Sequence, residues 1–364
     1  MTEERTNIPV LARSGHSGHC TRCLTGIPFS LVTIESSKLP FIFYCLGSLD
    51  LLNTLGTATK ESERESWRND IWGLQASGIW GSGFKPSWYM TSHDAGDDPQ
   101  RLNKYESEFD TPHMIITYTA LVTLAILRDD FTRLDRPGLV TFLRSSQRED
   151  GSFTSDPTGG DTDLRLTYCA FVVSTLLNDW SGVNVEKALE FVRRCRTYEG
   201  GYGSAPGCEA QGGPTYLAIA ILRLASDSPE YLSESERRQT LRWLLQNQDE
   251  SGGFRGRTNK DADACYCFWC GGAIQILGAT ELVDATALAL FLGNCQFRFG
   301  GIAKAPGEHA DPYHTYLSLA AIAMFPPSES VEGSTWAIEP LDPVINAKLS
   351  TAQWARDHIP LRST

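Results

Sequence analysis

The chain has 364 residues, 41% of them hydrophobic and 21% charged, and a formal net charge of -12. That balance is ordinary for a globular protein with a full core, and it leaves no basic stripe for nucleic acid. The acidity suits a positively charged partner or substrate segment, or solubility alone.

Residues 1–30 are polar and are expected to be frayed. No secretory leader is read there. The ten cysteines lie mainly in or beside apolar runs (Cys45, Cys169, Cys195, Cys267, Cys270), which fits reduced thiols in the cytosol. From Leu39 the pattern is helical. The run LPFIFYCLGSLDLL is too short to span a bilayer and carries Asp50, so an integral membrane protein is not expected. A loop rich in Gly, Ser, Trp and Asp is expected from about Ser77 to Asp110.

A repeat of about fifty residues follows. Tyr118, Tyr168, Tyr216, Tyr266 and Tyr316 each open an apolar run. Thr117, Thr167, Thr215 and Thr315 precede four of them, and Cys265 precedes the other. Between these runs stand QREDGSF (147–153), RTYEGGY (196–202), QDESGGF (248–254) and QFRFGGI (296–302). Each places a glycine four residues after Gln, or after Arg196 in its stead. Such glycines end helices and allow positive φ, and the aromatic or Ile that follows re-enters the core. VEKALEFVRRC and ESERRQTLRWLLQNQ are amphipathic, so they read as outer helices. The tyrosine runs are apolar nearly all round and read as buried inner helices. Residues 31–325 therefore predict an all-α fold, an α/α barrel (toroid) of repeated helical hairpins. Residues 326–364 form a Pro/Ser-rich tail, read as loop with a short helix near its end.

In such a barrel the inner helices start at one rim. Registered on the tyrosines, Asp263, Cys265 and His314 fall in the first turns of consecutive inner helices. Carboxylate, thiolate and imidazole with a fourth place open make a catalytic zinc set. Singly, Asp263 reads as an N-cap, Cys265 as a small buried residue and His314 as a satisfied polar group. Together they point to a metal. Asp263 and Cys265 are two residues apart and do not share a helix face, so they converge only where the helix has barely begun. Arg255, Arg257 and Lys260 in the loop before Asp263, and Lys304 in the loop before His314, place cations at the same rim for a polyanion such as diphosphate. Phe153, Tyr202, Phe254, Phe268 and Trp269, with Phe41, Phe43 and Tyr44, are expected around a cavity for a long apolar ligand. Cys267 and Cys270 read as packing. His16, His19, Cys20 and Cys23 are spaced like a metal knuckle but have no matching second pair.

These glycine signatures, with DADACYCFW and DPYHTY, resemble the β subunits of protein prenyltransferases, from about Cys20 to Phe325. The resemblance implies an α/α barrel that pairs with a helical α subunit. It implies one zinc ion on Asp263, Cys265 and His314. Arg257, Lys260 and Tyr266 match residues that hold the isoprenoid diphosphate, and Arg165, Tyr168 and Trp269 match positions lining the isoprenoid cavity. Lys304 stands where farnesyltransferases have a magnesium-binding Asp, so magnesium is not expected to be required. Pro40 stands in place of a bulky Trp and Leu317 in place of a Tyr, changes that lengthen the cavity. Gln211 stands where the family usually has a diphosphate-binding His. His113 and Ile115 match residues around the last side chain of the peptide, and Ile115 is larger than the small residue often found there.

The resemblance points most closely to the type I geranylgeranyltransferase β subunit. That enzyme transfers a C20 isoprenoid from geranylgeranyl diphosphate to the cysteine of C-terminal CaaX peptides, such as those of Rho-type small GTPases. Farnesyltransferase and Rab geranylgeranyltransferase β subunits are the alternatives. A terpene cyclase would need no zinc and has a second domain for which this chain lacks length. A non-catalytic toroid would leave the Asp/Cys/His set and its cations unexplained.

Overall fold

The computed structural model describes residues 8–26, 37–87, 111–226, 231–327 and 335–360. Most of the loop expected up to Asp110 lies outside them. The helices are α1 (Arg13–Leu24), α2 (Lys38–Leu51), α3 (Leu55–Ala58), α4 (Glu61–Trp72), α5 (Met114–Ile126), α6 (Arg136–Ser146), α7 (Leu164–Leu177), α8 (Val185–Arg194), α9 (Gly212–Leu224), α10 (Glu234–Leu245), α11 (Ala264–Ile276), α12 (Ala285–Asn294), α13 (Pro312–Met324) and α14 (Leu349–His358). Four short antiparallel hairpins, which the all-α reading did not anticipate, sit in the connections: β1 (Gln75–Gly78) with β2 (Gly81–Phe84), β3 (Thr154–Asp156) with β4 (Gly159–Thr162), β5 (Ile302–Ala303) with β6 (Ala310–Asp311), and β7 (Leu341–Asp342) with β8 (Ala347–Lys348).

The chain forms two compact units. One comprises Met1–Ile27, Tyr44–Lys60 and Val192–Ala352; the other comprises Pro28–Phe43, Glu61–Phe191 and Gln353–Thr364. In the second unit α5 packs beside α7, and α6 lies on the β1–β2 hairpin. In the first, α9, α11 and α13 pack side by side. These helices are buried over most of their residues because their sequences are apolar on every side. The first amide of α9, at Gly212, donates to the Gly256 carbonyl at 2.8 Å, and that of α11, at Ala264, to the Lys304 carbonyl at 2.9 Å. Each of these two inner helices thus starts on the loop leading to the next, and their N-termini share one end.

The glycine signature is a clamp on the following outer helix. Gln248 donates its amide to the Asp284 carbonyl (3.0 Å) and accepts the Asp284 N–H (3.1 Å), and Asp284 caps α12. Gln147 grips Asn184 ahead of α8 in the same two-bonded way. At Gly252, φ is +90°, and a Cβ would lie 2.1 Å from the Ala287 carbonyl oxygen. The turn and the helix backbone touch there, so only glycine fits.

In the last repeat α1 fills the outer-helix place, so the N-terminal segment is not frayed along these residues. Gln296 accepts the Ala12 N–H (2.8 Å) and donates to the Val10 carbonyl (3.1 Å), and a Cβ on Gly300 would sit 1.9 Å from the Gly15 oxygen. The signature marks the turn in the sequence, but neither the clamp nor its partner in residues 10–15.

Residues 335–360 of the tail are likewise more ordered than read, because they answer buried polar groups. Tyr216 and Tyr316 donate their hydroxyls to the carbonyls of Pro343 (2.8 Å) and Asn346 (2.7 Å) in the β7–β8 turn. Asp50, the charge within the apolar run of α2, accepts from Thr351 and lies 3.8 Å from Lys348. A buried charge needs such partners.

The threonine register also corrects the sequence reading. Thr215 accepts the Tyr202 N–H and Thr315 the Ile302 N–H, in each case thirteen residues earlier, and each lies four residues after its helix N-cap. In α11 the N-cap is Asp263, so the equivalent residue is Cys267, which takes the Phe254 N–H. Phe268, and not Tyr266, is the structural counterpart of Tyr216 and Tyr316. The recurrence of a Tyr at residue 266 had shifted the alignment by two.

His16 on α1 is fully buried. Its Nδ1 accepts the Gly301 N–H at 3.0 Å. Its Nε2 faces Gln296 Oε1 at 3.0 Å, an oxygen already identified as an acceptor by the Ala12 N–H. Nε2 therefore carries the only ring proton. Burial lowers the His16 pKa from 6.5 to about 4, against the bond to Gln296 and with help from nearby His19. The unfolded chain takes up this proton below pH 6.5 while the folded chain refuses it until about pH 4, so stability is full above that window and falls as pH drops through it. The loss reaches about 3 kcal/mol. Urea unfolding between pH 7 and 4.5 should show a steeper decline in wild type than in His16→Asn; parallel declines would exclude His16 as the source.

Candidate metal centre and anion-binding rim

Asp263 is the N-cap of α11, with extended backbone, and its Oδ1 accepts the Cys265 N–H at 2.9 Å. Cys265 is the second residue of that helix. The cap geometry solves the spacing problem, because a residue ahead of the first turn need not share a face with one inside it. On α13, Asp311 is the cap. Its Oδ1 accepts the His314 N–H at 2.9 Å, and its Oδ2 binds His314 Nδ1 at 2.6 Å. The imidazole is thereby held with Nε2 3.4 Å from Asp263 Oδ1. Among the described residues, donor atoms of Asp263, Cys265 and His314 lie within 4.8 Å of one another. Ligands around a tetrahedral zinc lie about 3.5 Å apart, so modest closure completes the set.

The electrostatics call for a cation. Burial pushes the Cys265 thiol up to about 12. Burial acts to raise Asp263 too, but bonds from His314 and Cys265 outweigh it and hold that carboxyl below its usual range. Burial acts to lower His314, yet Asp263, Asp311 and Cys265 together push it up to about 11. Two acids and a thiol thus trap a proton on the imidazole. A divalent ion would supply that positive charge, releasing protons from Cys265 and His314 as it binds. The donor set and the carboxylate-oriented histidine both fit zinc.

Neighbouring residues continue the site. Tyr313, two residues after its cap as Cys265 is after Asp263, accepts from Trp269 Nε1 at 3.0 Å. Trp269 packs against Tyr216 at 5.2 Å and Phe268 at 5.0 Å. The Tyr266 ring covers Gly256, where a Cβ would lie 2.2 Å from Cζ. Burial raises the Tyr266 pKa to about 12. Arg257 pairs with Glu209 at 2.5 Å, both partly exposed. Such a pair contributes little and yields readily to a stronger anion. Lys260 and Lys304 are exposed, and Gln211 caps α9 by position. Leu317 is buried in α13.

Arg165, Tyr168, Pro40, His113 and Ile115 lie in the other unit. Arg165 donates from Nε (2.9 Å) and one Nη (2.6 Å) to a single oxygen, Oδ2, of Asp163, the cap of α7. Tyr168 is buried edge-on to Tyr118 at 5.7 Å. Pro40 is half-buried in α2. Ile115 is half-buried beside His113, the residue ahead of α5, whose buried Nδ1 has no hydrogen-bond partner among the described residues. Burial lowers the His113 pKa. Phe153, Tyr202, Phe254 and Phe268, expected to face a cavity, are fully buried in packing.

Sequence reasoning missed Asp311, Tyr313 and Glu209. Asp311 was findable, since a carboxylate at a cap three residues before a histidine can bind both its amide and its ring.

Residues 11–347 match the family model described as the prenyltransferase alpha-alpha toroid domain. The chain belongs to this family. It is 39% identical to the geranylgeranyl transferase type-1 β subunit of Arabidopsis thaliana, over 58% of either chain. It is 34% identical to that of Dictyostelium discoideum, over 83% of this chain and 87% of that protein. Among solved structures, the Candida albicans protein geranylgeranyltransferase-I complexed with GGPP superposes with a TM-score of 0.83 at 26% identity, covering 96% of this chain and 99% of that one.

Asp311→Asn removes the charge that orients His314. Metal affinity, read by competition with a chromophoric chelator, should fall about 10–100-fold. Unchanged affinity would show that His314 is not held through Asp311.

Proposed function

We propose that this chain is the β subunit of a protein geranylgeranyltransferase type I, acting with an α subunit in the cytoplasm on the cysteine of C-terminal CaaX peptides. The observation that carries the reading is the convergence of Asp263, Cys265 and His314 beside the cation-bearing loops of Arg257, Lys260 and Lys304. The C20 subtype is supported by the names of the two relatives above and by Lys304, Pro40 and Leu317.

In this reading Asp263, Cys265 and His314 hold zinc, which when bound supplies a Lewis acid that brings the peptide thiol to thiolate at neutral pH. The peptide sulfur forms a bond to C1 of geranylgeranyl diphosphate as the C1–O bond breaks, and diphosphate leaves with the electron pair. Arg257 turns from Glu209 to the diphosphate, and Lys260, Tyr266 and Lys304 donate to the charge growing on it. Gln211 adds a neutral hydrogen bond where a histidine would add charge. Arg165, Tyr168 and Trp269 border the isoprenoid chain. His113 and Ile115 meet the end of the peptide, where the free Nδ1 of His113 can gain a partner. Lys304 supplies the charge that magnesium supplies elsewhere, so none is required.

Co-expressed with an α subunit, the chain should transfer from the C20 diphosphate in preference to the C15 one, without added magnesium. A C15 preference would overturn the subtype, and a strict magnesium requirement the role of Lys304. Lys304→Ala should cost roughly 2–4 kcal/mol in the barrier, read from kcat. Cys265→Ala should lose stoichiometric zinc and turnover together; full zinc with full activity would overturn the ligand assignment.

A further inference from the structure

The cations of the rim are not equally placed. Among the described residues, Lys260 and Lys304 are exposed and have no ion-pair partner. Arg257 has one, Glu209, which comes from the loop before the preceding inner helix, 48 residues earlier. Backbone contacts bring the two loops together. The Gly212 N–H at the start of α9 binds the Gly256 carbonyl at 2.8 Å. Glu209 stands just ahead of that amide in the chain, and Arg257 follows Gly256 directly. Ala210, next to Glu209, is buried, and a Cβ on Gly201 would lie 2.9 Å from its own Cβ. Both partners of the pair therefore stand on backbone that is pinned beside them.

The pair itself is a partial grip. Arg257 donates through Nη1 to one oxygen, Oε2, of Glu209. Its Nε and Nη2 have no partner among the described residues. The two side chains are 37% and 53% exposed, so water weakens the attraction between them. The carboxylate offers the guanidinium one oxygen, where a phosphoryl group offers several and more charge. An arriving diphosphate thus finds open donors on the same fork before Glu209 has let go.

We propose that Glu209 is a positioning residue for Arg257 and a built-in competitor of the diphosphate. The inference rests on the reading above that this rim takes a diphosphate. Without that ligand, Glu209 holds the guanidinium at the rim. A diphosphate that binds must take Arg257 from Glu209, and its affinity is lowered by the strength of the pair. When diphosphate leaves, Glu209 takes Arg257 back. The carboxylate therefore weakens the hold on the diphosphate of the substrate and on the free product alike, and it shortens the stay of the product.

The test uses the full chain co-expressed with an α subunit and titrated with inorganic diphosphate in a calorimeter at low ionic strength, where exposed charges are least screened. Glu209→Gln should bind diphosphate about two- to fivefold tighter than wild type, the range set by exposed ion pairs. A loop that had only lost support would not bind more tightly, so the direction separates this role from a structural one. In an Arg257→Ala background the same change should bring a smaller gain, because no pair is left to break. Equal or weaker binding by Glu209→Gln would overturn the proposal, as would an equal or larger gain without Arg257. A wild-type protein that binds no diphosphate would overturn the reading of the rim along with it.

Discussion

The first amides of an α-helix have no partner inside the helix, and the residue ahead of it must supply one. The rest of the site depends on how this chain meets that demand. Asp163, Asp263 and Asp311 cap three inner helices, and in two of them the cap also builds the candidate metal centre. Asp263 binds the Cys265 amide with the oxygen that faces His314. Asp311 binds the amide of His314 with one oxygen and its ring with the other. The chemistry is therefore assembled from groups that helix formation already needs, and it inherits their rigidity.

The outer helices make the arrangement repeatable. Glutamine grips the backbone ahead of an outer helix, glycine touches that helix, and threonine, or Cys267 in its place, ties the turn to the inner helix. With this frame set, the loops between turn and inner helix are free to differ. There the cations of the candidate anion-binding rim stand, and there Arg257 is held by Glu209 in a partly exposed pair.

Much of this was legible in the residues. The alternation of amphipathic and wholly apolar runs foretold outer and inner helices, and the glycine signature foretold where they turn. Asp263, Cys265 and His314 were found from their place near helix starts, although the alignment behind it was two residues out, since Tyr266 imitates a repeat position that Phe268 occupies. What stayed hidden were partners without a local pattern: Gln296 reaching Val10 and Ala12, and Tyr216 and Tyr316 reaching the tail turn. Each joins segments far apart in the chain through one or two hydrogen bonds. Nothing in the sequence near Gln296 differs from the signatures whose partners lie in the next helix.

The central claim is that Asp263, Cys265 and His314 meet on one ion. X-ray absorption at the zinc edge of the purified protein tests it directly. The account predicts one zinc per chain, with a single sulfur at about 2.3 Å and nitrogen or oxygen ligands at about 2.0–2.2 Å. Zinc coordinated by two or more sulfurs, or by none, would contradict it.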